Sequence, residues 1–343
     1  MSPFIKNVLK FLLFLGIGVG LVYLIVRKIT PEDWKNIRLA AANANYFWII
    51  LSMVLGAVSH LLRAVRWQML IEPVDKKPGL ANTFSAVMIG YMANYAVPRL
   101  GEVSRCGVLS RYEKTPFATL VGTVVVERGI DLLMMGLCFV VMISLSFNKV
   151  YTIVKDKATL IINSKVDSVK HINPVILLIV VIVLVTGIWI IYKKRNQLFG
   201  FASKFINNFL GGIKSVGNLK RPFLFWFYSV AIWVMYLFML YVCFFSFSET
   251  SHLSLADGLV VLTFATLGVI APVPGGIGAY QWLVISVLTH IFFISQSVSF
   301  TLAWMAWGSQ LALILILGVI SLVLLPLINK NDKAGSVTIE DSK

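Results

Sequence analysis

The sequence predicts an all-α polytopic membrane protein with about six full transmembrane helices and two re-entrant helical hairpins, set in two halves of inverted topology. Three observations predict it. The chain of 343 residues is 58% hydrophobic with only 13% charged residues and a mean hydropathy of +0.86, a composition that ordinary soluble domains do not reach. Six apolar runs, at 8–27, 46–70, 117–147, 173–192, 222–246 and 298–327, approach or exceed the length of about 20 residues that crosses a hydrocarbon core. Two more apolar stretches, 80–113 and 256–293, are each split near the middle by proline and glycine, and their short arms suit hairpins whose broken backbone is shielded by protein.

The first run follows Lys6 and Lys10 and so resembles a signal peptide. The residues after it, Arg27-Lys28-Ile29-Thr30-Pro31, offer no small-residue cleavage site, and a retained first span is expected. Residues 31–43 open on Pro-Glu-Asp-Trp, a helix start with proline at its first position and acids in its first turn, and are expected at the membrane interface. Residues 196–218 mix phenylalanines with Lys204 and Lys214, as a helix lying on a face of anionic lipid does. The polar tail 329–343 is expected to be disordered, leaving 1–328 as one transmembrane domain.

Orientation follows from the loops. The loop 193–221 carries Lys193, Lys194, Arg195, Lys204, Lys214, Lys220 and Arg221 without an acid, which places it in the cytoplasm by the positive-inside rule. Counting outward from it puts both termini in the cytoplasm, with the protein in the cytoplasmic (inner) membrane. The formal net charge of +15 follows this topology, so nucleic acid is excluded as the reason for it. Span, span, broken hairpin, span is the order in 8–147 and again in 173–327. The first copy begins inside and the second outside, an inverted repeat of the kind that alternating-access proteins use.

Charge at bilayer depth is costly and marks working sites. The first break, Asn94 to Arg105, holds Arg99, Glu102 and Arg105 just after Pro98. Proline biases Val97 toward extended backbone, and Gly101 admits an unusual backbone angle. If a helix restarts near Gly101, Glu102 and Arg105 share a face and can pair. Inside the 117–147 run lies Glu127-Arg128-Gly129-Ile130-Asp131, with Arg128 roughly 15 Å into the helix. Two acids against one base call for another cation, and Arg99 and Arg105 are the candidates. The bland alternatives are a hydrated turn for the first group and an ion-pair network that only fixes packing for the second. Such a network stabilises poorly compared with apolar packing, whereas arginine there can grip a phosphate bidentately.

The second break, Ala271 to Gly278, carries no charge. Pro274, Gly275, Gly276 and Gly278 either free backbone amides for an anion at a helix start or let helices cross closely. It is no nucleotide loop, because the Gly-Lys-Ser/Thr ending is missing. Arg63 and Arg66 read as topology anchors that snorkel to headgroups. Trp304, Trp307 and Gln310 either line a cavity or pack. Cys106, Cys138 and Cys243 and four scattered histidines show no metal-ligand spacing, so no metal and no cofactor are expected.

The pattern Arg99-x-Gly101-Glu102-x-x-Arg105, the Glu127-Arg128-x-x-Asp131 motif and Pro274-Gly275-Gly276-Ile277-Gly278 together resemble the transmembrane domain family of lysylphosphatidylglycerol synthases, flippase-like integral membrane proteins. The resemblance covers about 8–328. It implies a domain that handles lipids and, in the multiple peptide resistance factor, moves aminoacylated lipid across the bilayer. The soluble aminoacyl-transferase domain of those proteins has no counterpart here, so lysyl transfer is not expected and the chain is not expected to be an enzyme. The function expected is a flippase moving a lipid with an anionic phosphate headgroup, a membrane phospholipid or polyprenyl-phosphate lipid, with phosphate on Arg105 and Arg128 and with Glu127 and Asp131 orienting them. The alternatives are a membrane enzyme acting on a phospholipid or polyprenyl phosphate, and a non-transporting partner of cell-envelope enzymes. A homo-oligomer stays open.

Overall fold

In the computed structural model, Gly16 and residues 18–27, 29–97, 100–168, 219–271 and 273–330 are described, with the backbone alone at 96 and 146–168. The chain divides into two compact units, one of residues 1–145 with 218–343 and one of 146–217. Of the second, the described part is the helical stretch 146–168. The site lies in the first unit.

Residues 18–26 are helical. The helices that follow are α1 (Pro31–Asn43), α2 (Tyr46–Ile71), α3 (Leu80–Ala96), α4 (Leu100–Glu113), α5 (Phe117–Ser168), α6 (Pro222–Phe244), α7 (Leu255–Ile270), α8 (Ala279–His290) and α9 (Gln296–Ile328), with a 3-10 turn at Pro274–Gly276. The described residues contain no strand. Four helices, Tyr46–Ile71, Phe117–Leu145, Pro222–Phe244 and Gln296–Ile328, are long and apolar enough to cross a membrane. They match four of the six expected spans. The span 173–192 and the amphipathic segment 196–218 lie outside the described residues, as do 8–15 and 17 of the run 8–27.

Both broken stretches are helix pairs. Between α3 and α4, Val97 is extended at φ −140° and ψ 122°, as a residue before proline should be. Between α7 and α8 the chain turns through three glycines of positive φ, Gly275 at 57°, Gly276 at 72° and Gly278 at 81°, conformations that only glycine adopts at low cost. Gly101, by contrast, is helical, and its role is close approach: a Cβ there would overlap the Gly90 carbonyl oxygen and the Asn94 side chain. Its amide donates to Asn94 Oδ1 at 2.7 Å, so the arms of the first pair touch through backbone at their broken end.

Local signals set the helix ends. Thr30 caps α1 in a reciprocal box with Asp33, which satisfies amides left over at a helix start; the hydrogen bonds from Thr30 hold the Asp33 carboxyl below the usual carboxylate range. Asn329 caps α9 and exchanges side-chain hydrogen bonds with Asn82 at 3.0 and 2.9 Å. The tail 331–343 lies outside the described residues.

Two apolar cores result. One gathers α6 to α9 around Val261, Leu288 and Leu302. The other gathers α2 to α5 around Ala64, Trp67, Ile71, Cys106, Leu109 and Leu120. The buried face of α2 carries Ser52, Gly56, Ser59, His60, Arg63, Arg66 and Trp67, spaced by three or four residues so that they form one stripe. That stripe is largely polar.

Candidate functional site

Seven ionised side chains from three helices meet along this stripe. Glu127 of α5 is fully buried. Its carboxylate accepts from Arg63 Nη1 at 2.6 Å and from Arg105 Nη2 at 2.8 Å, and Arg66 Nη2 stands 3.5 Å away. Asp131, one turn on, accepts from Arg63 at 2.6 Å and Arg66 at 2.7 Å. Arg128 pairs with Glu102 of α4 at 3.1 Å and lies 3.9 Å from Asp131. Aromatic faces close the back of the cluster: the Arg105 guanidinium lies 4.6 Å from the Trp67 ring centroid and Arg66 lies 6.0 Å from that of Phe225, within cation–π range.

This geometry corrects the sequence reading in two places. Arg63 and Arg66 are not snorkelling anchors: they are 3% and 0% exposed and bind both acids of α5. Glu102 and Arg105 do not pair with each other, because α4 sends Glu102 to Arg128 and Arg105 to Glu127. Arg105 and Glu127 do not line the cavity described below. Arg99 lies outside the described residues.

The seven groups comprise four guanidiniums and three carboxylates, an excess of one positive charge. Arg63, Arg66 and Arg105 are locked to Glu127 and Asp131. Arg128 is the accessible one, with 41% of its side chain exposed.

In front of the cluster lies a cavity of about 1010 Å³. Arg63, Glu102, Arg128 and Asp131 form its charged end. Leu132, Met135, Met239, Leu262 and Ile314 form apolar walls. Both breaks frame it, the first with Asn94, Tyr95, Val97 and Leu100 and the second with Val269, Ile270, Val273 and Gly275. Several frame residues are open to the outside: Val97, Leu100, Val103, Val269 and Ile270 are 41–59% exposed.

Of the glycine-proline residues at the second break, Gly275 alone lines the cavity; Pro274, Gly276 and Gly278 do not. The amides there are taken within the turn, Gly276 by the Val273 carbonyl, Ile277 by the Pro274 carbonyl and Gly278 by Gln281 Oε1 at 2.7 Å. Close crossing is what the geometry shows at these glycines. A Cβ on Gly275 would overlap the Tyr95 ring, and one on Gly276 would come within 2.9 Å of Val269 Cα. Trp307 of α9 donates its indole N–H to the Gly275 carbonyl at 2.8 Å, and Tyr95 meets Trp307 edge-on at 6.2 Å. The tips of the two broken pairs are thereby in contact. Gln310 also lines the cavity, and Trp304 does not. Among the described residues no group of three or more His, Cys, Asp or Glu is placed to hold a metal.

These features define a class: an all-helical integral membrane protein with a charged cavity framed by two broken helix pairs. The profile of the lysylphosphatidylglycerol synthase TM region matches residues 7–318, and the chain belongs to that family. It is similar to a UPF0104 membrane protein of Methanothermobacter thermautotrophicus, 22% identical over 305 residues covering 82% of this chain and 86% of that one. A second, of Methanocaldococcus jannaschii, is 30% identical over 92 residues, 26% of this chain and 27% of its own length. No solved structure matches the chain.

Proposed function

We propose that the protein moves a lipid with an anionic phosphate headgroup across the cytoplasmic membrane, without making or breaking a bond. The observation that carries this reading is the presence, in one cavity, of the cluster's accessible guanidinium, Arg128, together with apolar walls. Phosphate binds Arg128 through the paired donors of its planar fork. Arg63 and Asp131 hold the floor, and the acyl chains lie against the leucine and methionine walls. The exposed valines, Leu100 and Ile270 at the frame are the entry from the lipid phase, since apolar patches of that kind contact chains. On this reading the two broken pairs are re-entrant hairpins of inverted halves, one opening to each side, with both termini cytoplasmic. The substrate is a phospholipid or a polyprenyl phosphate.

Vesicles reconstituted with purified protein and a fluorescently labelled phosphatidylglycerol test it. The wild type redistributes the label between leaflets. Arg128→Ala removes charge-assisted hydrogen bonds worth about 1.5–3 kcal/mol and slows redistribution by roughly ten- to a hundredfold. It keeps the wild-type fold, because Arg128 and its partner Glu102 are 41% and 31% exposed along their side chains and the buried pairs of Arg63, Arg66 and Arg105 stay in place. Equal rates for the two proteins overturn the reading.

A further inference from the structure

The charged end accounts for a phosphate, but the polar lining of the cavity continues beyond it. On the same face of α2, His60 precedes Arg63 by one turn and Gly56 precedes His60 by another. His60 is 6% exposed, lines the cavity, and has neither ring nitrogen in a hydrogen bond. Trp233 of α6 is 7% exposed, lines the same cavity, and its indole N–H is likewise without a partner. Its ring packs edge-on at 6.0 Å against Tyr236, whose hydroxyl accepts from Arg63 Nη2 at 3.1 Å. Gln310 of α9 gives its amide N–H to Ser52 Oγ at 3.2 Å, and its carbonyl oxygen, which lies against Gly56, has no hydrogen-bond partner.

A buried polar group left unpaired costs about 1–3 kcal/mol, and native proteins rarely leave several on one wall. Here they follow one another along α2 from Arg63 to Gly56, a span of about 10 Å at 1.5 Å per residue, longer than a phosphate. The set is neutral and mixed. Trp233 is a donor, Gln310 Oε1 an acceptor, and a neutral imidazole offers one of each. Hydroxyl groups, each donor and acceptor at once, are the chemistry that satisfies such a row.

We infer that His60, Trp233 and Gln310 form a second subsite that binds a polyhydroxylated headgroup, a polyol or sugar carried on the phosphate that Arg128 holds. This rests on the lipid reading above and narrows its substrate class.

Equilibrium binding to the purified protein in detergent tests the subsite with three probes of equal charge and identical acyl chains: phosphatidylpropanol, phosphatidylglycerol and phosphatidylinositol. Two new hydrogen bonds of about 0.5–1.5 kcal/mol each make the wild type bind phosphatidylinositol roughly tenfold more tightly than phosphatidylpropanol. Phosphatidylglycerol matching the inositol lipid marks a short polyol as sufficient, and its matching phosphatidylpropanol marks a ring. Trp233→Phe and His60→Phe keep ring volume and lose the polar atoms, and each collapses the ratio of dissociation constants toward one. Arg128→Ala weakens all three probes alike and leaves the ratio. Equal affinity of the wild type for the three probes overturns the subsite while leaving the phosphate site standing. A ratio unchanged in both phenylalanine variants overturns the assignment to these residues. No binding of any probe overturns the lipid reading itself.

Discussion

Glu127→Gln is expected to destabilise the protein by roughly 3–5 kcal/mol, the usual cost of stripping one partner from a buried ion pair. The side chain keeps its shape, so the loss is electrostatic. Glu127 is the hub on which Arg63, Arg66 and Arg105 converge, at 2.6, 3.5 and 2.8 Å, and none of those three is more than 4% exposed along its side chain. Neutralising it leaves three buried guanidiniums, Arg63, Arg66 and Arg105, with Asp131 as the one carboxylate among them. Arg105 suffers most, since Glu127 is its carboxylate partner, whereas Arg63 and Arg66 keep Asp131. Thermal unfolding in detergent, followed by tryptophan fluorescence, measures the effect. The double variant Glu127→Met with Arg105→Met removes that partner as well and replaces both with apolar volume, so it should recover much of the loss, because apolar substitutes for a buried pair are often neutral or stabilising. A single variant as stable as the wild type would show that the charges do not depend on one another.

The same cluster marks how far the sequence could be read. Two acids and a base inside the 117–147 run required a further cation, and Arg105 does reach Glu127. What could not be read from loop counting was that Arg63 and Arg66 are partners of these acids as well. Arginines near the end of an apolar run are ordinarily anchors, and the charge rule has no way to tell an inward face from an outward one. The signal lay in periodicity instead. Ser52, Gly56, Ser59, His60, Arg63 and Arg66 recur at intervals of three or four, and a polar stripe through a span must face protein or a cavity, since lipid offers it no hydrogen bonds. The two broken pairs were legible because proline and glycine act locally on backbone geometry. Which broken pair holds charge was legible too. That Gly276 and Gly278 spend their amides internally was not, because that depends on where Val273 and Gln281 come to lie after folding.

Gly101→Ala is the second large effect, and it separates two roles that a glycine beside a break can play. Gly101 was read for backbone freedom, yet it sits in regular helix and works by lacking a side chain. Its α carbon faces Gly90 on α3 so closely that a methyl overlaps the Gly90 carbonyl oxygen and Asn94. A Cβ on Gly90 would in turn stand 2.8 Å from the Gly101 carbonyl and 2.9 Å from Arg105 Cβ. Backbone cannot swing aside as a flexible side chain can, so the arms must separate. Overpacking of this kind costs about 1–3 kcal/mol, and here it also breaks the hydrogen bond from Gly101 N–H to Asn94. The shift passes directly to Glu102 and Arg105, the next residues of α4 to engage α5, so lipid redistribution falls together with stability. Gly107 in the same helix supplies the control. Nothing lies within 4 Å of a Cβ placed there, and alanine is the better helix former by about 1 kcal/mol. Gly107→Ala should therefore melt at or above the wild-type temperature and transport normally. If Gly101→Ala behaves like Gly107→Ala, the arms of the first broken pair do not pack through their backbones, and the placement of Glu102 against Arg128 loses its structural cause.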